Sequence, residues 1–75
     1  MNIQYEKQVG ENIRYLRIKK NLTQEQLAAK LQVLGCDITR SALAKIEVGQ
    51  RHIYVDEIIH FKKILNISFE ELLKI

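Results

Sequence analysis

The chain has 75 residues, 47% hydrophobic and 28% charged, with 12 Lys and Arg against 9 Asp and Glu for a net charge of +3. That length is expected to house one small domain over residues 1–75, and the composition excludes an intrinsically disordered chain. No run approaches the roughly 18 apolar residues of a membrane span, the first residues lack the apolar stretch of a secretory signal, and the lone Cys36 excludes an internal disulfide or a thiolate metal cluster, so a cytoplasmic protein is expected.

Absence of proline and helical spacing of the apolar residues predict an all-α domain of five helices. The first is expected over residues 5–20, with Tyr5, Val9, Ile13 and Leu16 on one core-facing strip, Arg17 at its edge and Asn21 as the stop. Gly10 inside it costs about 1 kcal/mol relative to Ala, which implies that another chain segment comes close there. The second opens on Thr23-Gln24-Glu25-Gln26, a capping box, and runs through Leu27, Leu31 and Leu34 to a left-handed stop at Gly35. The third starts after Thr39 and ends at Gly49. Its wheel puts Ala42, Leu43, Ile46 and Glu47 on one side, and Arg40, Ser41, Ala44, Lys45 and Val48 on the other. The fourth, about residues 55–65, has Asp56 and Glu57 in its first turn and an apolar arc too wide for one core to cover, so part of that arc is expected at an interface. Ser68-Phe69-Glu70-Glu71, another capping box, starts a short fifth helix carrying Leu72, Leu73 and Ile75.

Charge follows this division. Residues 1–51 hold nine Lys and Arg against five Asp and Glu, whereas residues 52–75 hold three against four. A polyanion-binding surface is therefore expected in the first two-thirds and a packing or pairing role in the rest.

Two short helices, a connector, and a second helix with a small, cationic outer face make the pattern of a helix-turn-helix reader. The segments LTQEQLAAKL, ITRSALAKIEVGQR and ILNISFEELL resemble the Cro/phage-repressor type of helix-turn-helix family, the XRE-like proteins, with the resemblance covering about residues 9–73. It implies a lambda-repressor-like fold and a transcriptional regulator, expected to be a repressor, that binds a palindromic operator in double-stranded DNA through the major groove as a homodimer. By position, Arg40, Ser41, Ala44 and Lys45 match the family's base-facing residues. Gln24 matches a phosphate-contacting glutamine at a helix start, where amides and the positive dipole end favour an anion. Gln50, Arg51 and His52 match a loop that touches backbone phosphate. Arg17 and Glu47 match a structural ion pair.

Three departures stand out. The connector over residues 32–38 is several residues longer than the usual turn of three or four. Lys62 interrupts the fourth helix's apolar arc, its stem expected to snorkel outward. Ile53 stands where the family commonly has proline.

Blander readings apply residue by residue. Arg40 and Lys45 alone would be a solvated cationic face, and Gln24 alone a helix-start residue. Cys36 reads as a small buried hydrophobe. His52 and His60 have no further ligands at metal-binding spacing, so no metal or other cofactor is expected. Tyr15 and Ile18 lie off the core strip of the first helix, available to a contact surface. No phosphate loop, nucleophile motif or small-molecule site is evident, which argues against an enzyme. The alternative function is a protein-interaction module or antitoxin-like accessory subunit of the same fold. That reading favours an acidic or apolar outer face on the third helix, which Arg40 and Lys45 oppose.

Overall fold

The computed structural model of the chain describes residues 3–75. Its helices, α1 Ile3–Lys19, α2 Gln24–Val33, α3 Arg40–Glu47, α4 Val55–Leu65 and α5 Phe69–Leu73, are set by residues at their ends. Thr23 and Ser68 each form a reciprocal capping box with Gln26 and Glu71, and the Thr39 hydroxyl accepts the Ala42 amide at 3.1 Å. Four helices stop in the same way. Asn21, Gly35, Gly49 and Asn66 all have positive φ, from 52° to 81°. At each, its own amide and the next one fold back onto the last turn, as in the pair Gly35 to Gln32 at 2.9 Å and Cys36 to Leu31 at 3.0 Å. This satisfies carbonyls that the helix leaves unpaired.

The long connector is ordered by burial. Cys36 is 5% exposed and Ile38 fully buried, so two apolar side chains pin residues 36–38 to the core between α2 and α3. Burial, then the nearby Glu57 carboxylate, raise the Cys36 thiol above its ordinary pKa and keep it protonated.

One core collects Ile13, Leu27, Leu31, Leu43, Ile46 and Phe61 from the first four helices and Leu72 from α5. α1 packs on α3 and α5, and α2 on α3 and α4. The crossing of α1 and α3 is a backbone contact, since a Cβ on Gly10 would lie 2.0 Å from the Ile46 carbonyl oxygen. This is the close approach that a mid-helix glycine implies.

Three sequence expectations need correction. Tyr5 is 54% exposed rather than in the core, and Glu6, in phase with Val9, Ile13 and Leu16, takes the inward seat at 6%. Leu34 caps α2 instead of extending it and is half exposed. The fifth helix stops at Leu73, so Ile75 lies beyond it rather than in it, and of its leucines only Leu72 is buried. Lys62 is half-buried, its ammonium lying 5.3 Å from the centre of the Phe69 ring. No helix among the described residues is long and apolar enough to cross a membrane.

Candidate nucleic-acid interface

The two faces of α3 differ in size and charge. Leu43 and Ile46 are fully buried and Glu47 nearly so, which fixes the rotation of the helix about its axis. Opposite them Arg40, Ser41 and Lys45 are exposed and Ala44 half-buried. Among the described residues neither Arg40 nor Lys45 forms an ion pair, and the small side chains of Ser41 and Ala44 leave the space between them open. Such a face offers two cationic donors to a groove with no bulky residue in the way.

At the carboxyl-terminal end of α3, Glu47 sits among three donors. Arg17 Nε donates to it at 2.7 Å, Arg17 Nη2 at 3.0 Å and Gln24 Nε2 at 3.0 Å, while Arg17 Nη1 donates to the Leu22 carbonyl at 2.8 Å. The Arg17 and Glu47 side chains are only 10% and 1% exposed. A carboxylate buried to this degree is tolerable because its charge is balanced and its lone pairs are filled. Sequence reading did not foresee that the same carboxylate would hold the side-chain amide of Gln24. The second hydrogen on Gln24 Nε2 remains available to an anion at the start of α2, where the helix dipole adds to the attraction.

The loop after α3 turns on Gly49 and leaves Gln50 exposed. Arg51 is not free. Its guanidinium donates to both oxygens of Glu57 at 3.0 Å and to the His52 carbonyl at 2.9 Å, and it lies 5.8 Å from the Tyr54 ring centre. The hydrogen bond to Glu57 raises the Arg51 pKa further above its already high value. Glu57 also accepts the Tyr54 amide at 3.0 Å, so one carboxylate caps α4 and fastens the loop. His52 Nδ1 lies 2.7 Å from the buried Glu6 carboxylate, with 67% of its side chain still exposed. Gln50 and His52 are thus outward-facing, whereas Arg51 is committed to holding the loop's shape.

Glu57 and Glu6 are the residues missed as loop anchors. Glu57 had a visible signal at the third position of α4, the capping position of a helix whose N-cap, Tyr54, makes no side-chain cap bond. Glu6 had its signal in the spacing of the apolar strip, where an acid stands in phase with Val9 and Ile13 and therefore needs a partner.

Comparison with known proteins agrees with this geometry. A family model described as helix-turn-helix matches residues 13–72. The control protein C.BamHI of Bacillus amyloliquefaciens is 34% identical over 65 residues, covering 85% of this chain and 74% of that protein. Among solved structures, the restriction-modification controller protein C.AhdI from Aeromonas hydrophila superposes with a TM-score of 0.81 at 30% identity, over 93% of this chain and 94% of its own. The DNA-binding domain of BldD superposes with a TM-score of 0.82 at 23% identity over 97% of this chain and 99% of its own, a likeness of fold. The chain belongs to the helix-turn-helix family of DNA-binding transcriptional regulators.

Proposed function

We propose that the protein is a sequence-specific repressor that binds a palindromic operator as a homodimer and reads each half-site with α3. One observation carries the reading: the outward face of α3, with Arg40 and Lys45 unpaired and Ser41 and Ala44 small between them, stands between two anchored elements that offer polar groups to phosphate. Arg40 and Lys45 supply donors for guanine O6 and N7, each good contact discriminating by about 1–3 kcal/mol. Gln24, Gln50 and His52 contact phosphate and fix register. Arg51 acts on phosphate only by exchanging Glu57 for it, so its main part is to set the loop. The function needs no catalytic step or cofactor, and it belongs in the cytoplasm with the DNA.

Leu73 and Ile75 line an apolar groove with Val9, Ile53 and Ile58, and Tyr54, Val55 and Ile59, at the start of α4 and along it, are further exposed hydrophobes, which supports pairing of two copies. A two-fold dimer places its reading helices about 34–36 Å apart along the duplex. The likeness to C.AhdI supports a target among genes of a restriction-modification system. Sedimentation of the protein on operator DNA tests the dimer: two protomers per site are expected, and a single protomer at saturation contradicts it.

A further inference from the structure

The close crossing at Gly10 leaves a groove beside it, between the outer side of α1 and the end of α3. It encloses about 810 Å³ and is walled by Arg14, Tyr15, Ile18 and Lys19 of α1, with Lys7 at one end and Val48 opposite. Tyr15 is 65%, Ile18 48% and Val48 54% exposed, so three sizeable apolar side chains meet solvent in one place. Cations frame them. Among the described residues Lys7, Arg14 and Lys19 have no acidic partner. The acids at this groove are Glu11, which is exposed, and Glu47, which Arg17 neutralises.

We infer that this groove is a docking site for an acidic amphipathic helix of a partner protein, the apolar stripe of the helix resting on Tyr15, Ile18 and Val48 and its carboxylates meeting Arg14, Lys19 and Lys7. Charge complementarity selects an acidic occupant, and a mixed apolar and cationic lining rewards a peptide with a hydrophobic face. A DNA backbone would gain from the cations but nothing from three exposed hydrophobes. Apart from Glu47 and Val48 at the end of α3, the walls of the groove belong to α1, and none of Arg40, Ser41, Ala44 and Lys45 lines it. It gives a small regulator a way to recruit or receive a partner.

The test uses the full chain and a fluorescein-labelled helical peptide of about six turns, past the length at which isolated helices are marginal, with Leu at i, i+4, i+7 and i+11, a few Glu flanking that stripe and Ala elsewhere. Anisotropy should show saturable binding, weakened about tenfold or more by Ile18→Glu and by the pair Arg14→Glu and Lys19→Glu, and unaffected by Arg40→Ala. A peptide of the same composition with the Leu spacing scrambled should bind more weakly. All substituted residues are exposed, and circular dichroism confirms that the variants remain folded. Absence of saturation, or binding that ignores Ile18→Glu, overturns the inference. So does a result in which Arg14→Glu with Lys19→Glu leaves peptide binding intact but weakens DNA binding and lowers its salt dependence, which would make the groove a phosphate track. Loss of sequence-specific DNA binding by the parent chain, with peptide binding intact, would remove the operator reading and leave this one standing.

Discussion

The reading surface is braced by side-chain pairs of different depth. At the carboxyl-terminal end of α3, Arg17 and Glu47, 10% and 1% exposed, form a sealed junction that joins α1 to α3 and steadies Gln24. After it, Arg51 and Glu57 are 27% and 10% exposed, and His52 and Glu6 are 67% and 6% exposed. Burial converts the same chemistry into different consequences. A charge that loses its partner inside the protein has no water to turn to, whereas a half-exposed one is rescued by solvent. The first junction is therefore a condition of the fold, and the loop pairs tune the shape of a surface that the fold already supports.

This contrast can be broken at several points. Glu47→Ala leaves the Arg17 guanidinium buried and unpaired, and should cost about 3–5 kcal/mol in urea unfolding, together with weaker DNA binding as Gln24 loses its hold. Replacing both partners by apolar residues of similar size should recover much of that loss, a coupling that a double-mutant cycle reads directly. Gly10→Ala drives a methyl group against the Ile46 carbonyl, and should cost about 1–3 kcal/mol as α1 moves off α3. Glu57→Ala frees Arg51 and removes the cap of α4, with an expected loss of about 1–2 kcal/mol in the same assay. Its DNA affinity sharpens the comparison, because a released Arg51 at the loop offsets part of the disorder it causes. His52→Ala should cost about 1–2 kcal/mol, less than Glu47→Ala, because the ring it removes is mostly in solvent although the Glu6 carboxylate it leaves without that partner is only 6% exposed. A cost for His52→Ala as large as that for Glu47→Ala would end the distinction between the buried junction and the loop.

Local signals were readable from the chain. Thr23, Thr39 and Ser68 announce helix starts, and Asn21, Gly35 and Gly49 announce stops, because each acts on amides and carbonyls within a few residues of itself. The division of α3 into a buried and an open face was equally plain from its wheel. What stayed hidden was tertiary. His52 and Glu6 are 46 positions apart, and nothing near either one names the other. Arg51 matches the family's phosphate-touching loop by position, and its hold by Glu57 stayed hidden because it depends on how the loop enters α4. Tyr5 failed for a different reason. It lies on the apolar strip by angle, but at the end of α1 the core has tapered and Glu6 can reach His52. Exposed Leu73 and Ile75 show the same taper at the other end of the chain.

The central claim is that the open face of α3 reads sequence. Its most direct test selects bound fragments from random DNA at physiological salt, then compares anisotropy on the enriched site for the parent chain, Arg40→Ala and Lys45→Ala. The account predicts a two-fold-symmetric site and losses of about 1–3 kcal/mol for each substitution, with unfolding free energies unchanged within about 0.5 kcal/mol. Binding without sequence preference, or affinity for an enriched site that ignores both substitutions, would contradict it.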